Sequence, residues 1–208
     1  MKLKFFLVIT FVVSTTFAGE ILIATVAQIQ KHVVTSREVQ IHFLLDKSLG
    51  VRREYFENKN PVEQIIREWL LYYEAVSFYN NKVSSSLKSK AVAKAKSKLS
   101  KVKAWKELDV TSEELNAMIG RRLEAERLYL FKKKASVLPV SSAEVETEYT
   151  QNRIRYGNLS FDEVKNKIRQ QKIQKNLQDR LSQWFLVLEK KYRVQRFAKY
   201  NDKSDEFN

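Results

Sequence analysis

Five places in this chain carry a Ser, Thr or Asn followed three residues later by Glu: Thr35/Glu38, Asn60/Glu63, Thr111/Glu114, Ser141/Glu144 and Ser160/Glu163. At a helix start the first side chain accepts a hydrogen bond from an orphan backbone N–H. The glutamate reaches back to a second, so each pair marks a helix start independently of hydrophobicity. Pro61, directly after Asn60, stands where a first helical residue loses nothing by lacking an N–H. Only four Gly and two Pro punctuate 208 residues, so little else would stop a helix once begun. A mainly α fold follows.

Apolar spacing fills in the elements. Helices are expected from Ser36 to Leu49 with Gly50 as the stop, from Pro61 onward along Val62, Ile65, Ile66, Trp69, Leu70 and Tyr73, and from Ser86 to Glu107 along Val92, Ala95, Leu99, Val102 and Trp105. Three more are expected from Ser112 to Ala135, from Ser142 to Asn152, and from Phe161 to Lys190 with Val164, Ile168, Leu177, Leu181, Trp184 and Leu188 as the seam. Before them, Ile21 to Gln30 reads as a strand with Ile21, Ile23, Thr25 and Ile29 on one face, followed by the short strand Val33-Val34. Tyr192 to Phe197 reads as a closing strand, and residues 201–208 as a polar tail.

Lys2 and Lys4, the apolar run Phe5 to Val13 and the small residues ending at Ala18 describe a secretory signal over residues 1–18. An uncleaved anchor is the other reading, since Ile21 to Ile29 is also apolar. Against it stand Glu20 and a run shorter than the roughly twenty apolar residues of a spanning helix. Removing Lys2 and Lys4 lowers the formal charge from +14 to +12. Export of a chain without cysteine points to a bacterial periplasm. The same lack excludes a disulfide framework, a thiolate zinc site, a cysteine nucleophile and a lipidated cysteine. The glycines, at least thirty positions apart, exclude a P-loop and a dinucleotide fingerprint.

Four segments in order resemble the N-terminal chaperone domain of SurA-type periplasmic proteins, also found in the PrsA and trigger-factor-related group. Ile29-Gln30-Lys31-His32-Val33-Val34-Thr35-Ser36-Arg37-Glu38-Val39 is similar to the opening hairpin and helix start, and Pro61-Val62-Glu63-Gln64-Ile65-Ile66-Arg67-Glu68-Trp69-Leu70 to the next helix. Val110-Thr111-Ser112-Glu113-Glu114-Leu115, with Leu138-Pro139-Val140-Ser141-Ser142-Ala143-Glu144-Val145-Glu146-Thr147-Glu148-Tyr149, resembles the following helix and its junction. Ser160-Phe161-Asp162-Glu163-Val164-Lys165 through Trp184 and Val194 resembles the last helix and its strand. The resemblance implies one domain over residues 19–200. It would be mainly α, with a small sheet formed by the N-terminal and C-terminal strands and the long last helix closed around the first. It also implies ATP-independent binding of unfolded or partly folded envelope and outer-membrane proteins. Two departures stand out. Gln30-Lys31 replaces the family's Asn-Gly, so a looser hairpin is expected, and only Arg153 to Leu159 stands where relatives insert a parvulin-type prolyl isomerase.

No catalytic constellation emerges, and the chain is not expected to be an enzyme or to carry a cofactor or metal. His32 and His42 lack metal spacing. Ser84-Ser85-Ser86 lacks a base and reads as a helix start, while Glu144 with Glu148 and Glu124 with Glu126 are pairs of a kind common on solvated helices. Two features remain as binding candidates. Trp69, Tyr72, Tyr73, Phe78 and Tyr79 crowd one helix all round, either as core or as the lining of an apolar cleft for extended peptides. From Ala75 to Lys106 there is no acidic residue, and residues 82–106 form an arm with nine lysines and no arginine, among them Lys88, Lys90, Lys94, Lys96, Lys98, Lys101 and Lys103. That arm is either a solvated surface or a site of diffuse attraction to an anionic envelope surface or acidic clients. Nucleic acid is not an expected partner. The alternatives to a general chaperone are a dedicated role as structural or assembly partner of one envelope protein or of a second copy of the chain, or a role as a basic binder of envelope polyanions.

Overall fold

The computed structural model describes residues 23–49, 60–80 and 82–197. The signal segment, Ile21, the Gly50 stop and the polar tail lie outside the described residues. β1 (Thr25–Ile29) and β2 (His32–Thr35) pair antiparallel, with Ile29 opposite His32. The hairpin is therefore tight, with a two-residue turn, where a looser one is expected. Gln30 itself takes the left-handed conformation at φ 54°, held by its N–H donating to the Tyr192 carbonyl at 2.9 Å and by Gln28 Nε2 donating to its carbonyl at 2.9 Å.

The expected strand face is also corrected. Pairing slips between Thr25 and Ala27, leaving Val26 as an extra residue. Such a bulge breaks the alternation of faces. Val26, Ala27 and Ile29 are buried, whereas Ile23 and Thr25 are exposed. β3 (Gln195–Arg196) pairs antiparallel with the other edge of β1, so the first and last described strands are neighbours in a sheet of order β2-β1-β3. β3 is shorter than the strand expected over Tyr192 to Phe197, because Arg193 turns the chain through φ 50° before pairing begins.

The helices are α1 (Ser36–Leu49), α2 (Pro61–Phe78), α3 (Ser85–Leu99), α4 (Lys103–Glu107), α5 (Ser112–Ser136), α6 (Ser142–Gln151), α7 (Arg153–Tyr156) and α8 (Phe161–Lys191). The capping pairs start the helices they mark, but they do so in two ways. Glu144 and Glu163 accept from the N–H and hydroxyl of Ser141 and Ser160 in full capping boxes, and these bonds hold both carboxyls below the usual carboxylate range. The other three glutamates leave their own helix end. Glu114 pairs with Arg37 at 2.6 Å, Glu63 with Arg196 at 2.6 Å, and Glu38 turns inward.

One expected helix, Ser86 to Glu107, is broken. α3 stops at Leu99 and Val102 adopts an extended backbone at ψ 115°. A continuous helix would carry Trp105 about 9 Å beyond Leu99 along its axis. The turn instead folds Val102 and Trp105 back onto a core made by Val92, Ala95 and Leu99 with Ile41 and Leu45 of α1 and Leu115, Met118 and Ile119 of α5. A larger core joins Ile65, Ile66, Leu70 and Leu71 of α2, Leu128 of α5, and Leu177, Leu181, Phe185 and Leu188 of α8 beneath the sheet. The first half of α8 covers α6 through Val145, Val164 and Ile168. α8 thus closes on α2, α5 and α6, not around α1. Lys191 and the Tyr192 hydroxyl both donate to Glu74, at 2.6 and 2.7 Å, tying the end of α8 to α2.

Gln30→Gly removes the left-handed penalty on a side chain while keeping the Gln30 N–H bond, at some cost in unfolded-chain entropy. Urea unfolding is expected to show a gain of about 0.5 to 1 kcal/mol. A loss would mean that the Gln30 side chain, not its backbone, holds the turn.

Candidate functional site

The inner surfaces of α1, α2 and α5 meet on charged residues. Glu68 of α2 is 0% exposed, and Arg121, Arg122 and His42 are 8%, 8% and 4% exposed. Arg121 Nε donates to Glu68 Oε1 at 2.8 Å, and Arg122 Nε lies 3.2 Å from Glu68 Oε2, so one carboxylate holds both guanidinium groups. Arg121 Nη2 also reaches Glu38 Oε1 at 3.2 Å, and Arg122 Nη1 reaches Asp46 Oδ1 at 3.0 Å. Both ring nitrogens of His42 face guanidinium nitrogens, Nε2 that of Arg121 at 3.0 Å and Nδ1 that of Arg122 at 2.8 Å. Glu38 takes further bonds from Trp69 Nε1 at 3.0 Å and His32 Nε2 at 2.9 Å. A buried charge is tolerated only where such partners surround it. This centre is structural glue; among the described residues no group of three or more His, Asp or Glu is arranged to hold a metal ion.

The centre divides the expected aromatic site. Trp69 stacks on His32 at 3.7 Å and lies under the Arg121 guanidinium at 4.0 Å. Tyr72 and Tyr73 pack beside it, and Tyr73 meets Tyr192 at 5.6 Å. These three are half-buried, and burial raises the Tyr73 hydroxyl above its ordinary pKa. Among the described residues the large core packs α2 directly against α8.

Phe78 and Tyr79 belong to a different surface. Phe78 is 48% exposed and meets Phe131 of α5, itself 46% exposed, at 5.4 Å. Lys132 Nζ lies over the Phe78 ring at 5.8 Å and over Trp184 of α8 at 5.3 Å. Val187, 60% exposed, is one turn on from Trp184 and so its neighbour on that face. On the other side Tyr79 lies under Arg127 at 3.8 Å, and Arg127 borders an open groove of about 510 Å³ lined by Val83, Leu87, Leu123 and Leu130. Leu87 and Leu130 are 51% and 50% exposed. A tract of apolar side chains therefore runs from the start of α3 across α5 to α8, interrupted by the cations Arg127 and Lys132 and, in the groove, by Ser84 and Glu126. Leu87, Leu130, Phe131, Trp184 and Val187 join it beyond the expected five aromatics. For all but Leu87 the signal was present: Leu128 to Phe131 and Trp184 to Leu188 are unbroken apolar runs that go round helices otherwise rich in charge.

The lysine arm is exposed as expected along Lys90, Lys94, Lys96, Lys98, Lys101 and Lys103. Lys88 is the exception, half-buried with its stem laid over Gly120, where its Cε would stand 3.2 Å from a Cβ. Lys96 donates to Ser112 at 3.0 Å. The carboxylates considered as acid–base pairs have other duties. Glu124 accepts from the Val83 N–H and pairs with Arg127, while Glu148 pairs with Lys172 at 3.4 Å.

Comparison of the chain with protein-family models, with curated proteins and with solved structures finds no match. The four family-like segments occupy, in order, the hairpin with α1, the start of α2, the start of α5 with the α5–α6 junction, and α8.

Glu68→Gln leaves two buried guanidinium groups facing a neutral amide. Breaking a buried pair by removing one partner costs about 3 to 5 kcal/mol. Chemical denaturation should show a loss of that size; a loss below about 1 kcal/mol, the range of surface pairs, would mean the centre is solvated.

Proposed function

We propose that this protein is an exported, ATP-independent chaperone-like binder of unfolded or partly folded envelope proteins, acting without prolyl isomerisation. The observation that carries the reading is the apolar tract of Leu87, Leu130, Phe131, Phe78, Trp184 and Val187, bordered by Arg127 and Lys132. Contiguous exposed apolar surface marks an interaction site on a soluble protein. Here the surface is spread over three helices and includes an open groove. It offers contact to extended apolar stretches of many sequences, whereas an enclosed pocket would select one small molecule. Aromatic and leucine side chains give such contacts large area at low entropy cost. The flanking cations lie over aromatic faces and have long flexible stems, so they border the tract without closing it.

The proposed surface differs from the cleft expected from sequence. Of the five aromatics considered, Phe78 and Tyr79 belong to the tract, and Trp69, Tyr72 and Tyr73 pack around the buried charge centre and the end of α8. The resemblance to SurA-type chaperone domains supports the same reading through the order of its four segments.

Light scattering of a denatured outer-membrane protein diluted into buffer tests it directly. Stoichiometric protein is expected to suppress aggregation, and Phe78→Ser with Phe131→Ser to reduce that suppression by at least half while far-ultraviolet circular dichroism is unchanged. No suppression even in excess, or suppression indifferent to the double substitution, would overturn the reading. A pull-down from periplasmic extract that returns a single stoichiometric protein would replace it with a dedicated assembly partner.

A further inference from the structure

What sets α3 apart from the rest of the fold is that residues 75–106 contain no Asp or Glu. Elsewhere many cations are matched with carboxylates, among them Arg37 with Glu114, Lys165 with Asp162, Lys172 with Glu148, Lys175 with Asp179, Lys191 with Glu74, and Arg196 with both Glu63 and Glu189, while among the described residues Lys134, Arg155, Lys167, Arg180 and Lys190 are not. On α3 and the turn after it the matching stops. Among the described residues Lys90, Lys94, Lys98 and Lys101 make no ion pair, and Lys103 makes one, at 3.7 Å with Glu107. Lys90, Lys94 and Lys98 recur every four residues, so they form one stripe along the helix. The other exposed residues of this face are Ser86, Leu87, Ser89, Ala93, Ser97 and Ser100. Nothing on it projects as far as the ammonium groups, and the helix is roughly 22 Å long. A flat anionic surface can therefore approach every charge of the stripe at once.

We propose that the exposed face of α3 docks on an anionic lipid bilayer. The charge carriers favour that partner over a nucleic acid. Lysine is a mobile point charge without the planar fork that fits a particular phosphate geometry, and the face carries neither an arginine nor an aromatic ring on which a base could stack. At its N-terminal end the stripe meets Leu87 and the groove it shares with Leu130. An apolar side chain beside a basic stripe is the arrangement of helices that lie in the headgroup layer, with lysine stems buried and ammonium groups held among the phosphates. Association of this kind is peripheral: no helix among the described residues is long and apolar enough to cross a membrane.

Cosedimentation of the full chain with phosphatidylcholine vesicles, with and without phosphatidylglycerol, tests the proposal in the absence of any client. Zwitterionic vesicles control for adsorption through the apolar residues Phe5 to Val13. Binding is expected only with phosphatidylglycerol, and is expected to collapse as salt shortens the Debye length from about 10 Å at 0.1 M to about 3 Å at 1 M. Each lysine near an anionic surface changes partitioning about fivefold. Lys94→Gln with Lys98→Gln should therefore lower partitioning about 25-fold. Lys165→Gln with Lys175→Gln removes the same charge from paired positions on α8 and should lower it by less than about threefold. Equal binding to zwitterionic vesicles, equal losses from the two double variants, or tighter binding to duplex DNA than to phosphatidylglycerol at matched phosphate and salt would each overturn it. Because no client is present, failure here leaves the aggregation assay untouched, and the reverse also holds.

Discussion

Glu68 is the constraint on which the arrangement of the helices depends. A carboxylate with 0% exposure cannot remain charged in an apolar interior, and here it is met by two guanidinium groups from consecutive residues of α5. Arg121 and Arg122 are adjacent in sequence, so they leave α5 about 100° apart and converge only if α2 and α1 approach from both sides. Glu38 and Asp46 of α1 complete the enclosure, and His42 between them contacts both arginines. Sliding any of the three helices by one turn would strand a charge. The centre contributes a single permitted register, which a purely apolar interface of leucines would specify less sharply.

That register also decides where apolar surface is left over. Contacts at Glu68 with Arg121 and at Phe78 with Phe131 lie ten residues apart on each helix, so α2 and α5 run parallel and side by side. With the charge centre at the middle of α2 and α5, the C-terminal end of α2 lies about 15 Å beyond it along the axis. Phe78, Phe131 and Leu130 stand at that end, while Leu128 and Tyr129, next in sequence, are buried. The exposed tract follows from the packing of the helices and is not an irregularity of the local sequence.

Local interactions made much of the fold legible. Starts at Pro61, Ser112, Ser142 and Phe161 depend on residues within four positions of one another, and period-two and period-four spacing located the strands and the α8 seam. What stayed hidden depends on partners far along the chain. The same Ser/Thr/Asn-x-x-Glu pattern is a closed capping box at Ser141 and Ser160, yet at Thr35, Asn60 and Thr111 its glutamate is taken by Arg121, Arg196 and Arg37, an outcome invisible without the fold. The break after Leu99 is of the same kind, since a second core returns Trp105 to α1 and α5 against the local preference for a straight helix. Of the candidate site, the lysine arm was legible because charge without counter-charge is a property of sequence. The division of the five aromatics was not, because it turns on Glu68.

Arginine and lysine are used for different tasks here, and the difference joins the two surfaces. Arginines fix geometry: Arg37, Arg121, Arg122 and Arg196 each bind a carboxylate from another element, for which a planar fork is suited. On α3, Lys90, Lys94 and Lys98 bind no carboxylate among the described residues, while Lys88 and Lys96 rest against α5. Leu87 and Lys90 lie within one turn at the start of that helix, where the groove opens and the stripe begins. A bilayer held by the stripe would therefore lie alongside the start of the apolar tract. A chain held there would stay close to the headgroup layer, with α3 as the boundary between lipid and client.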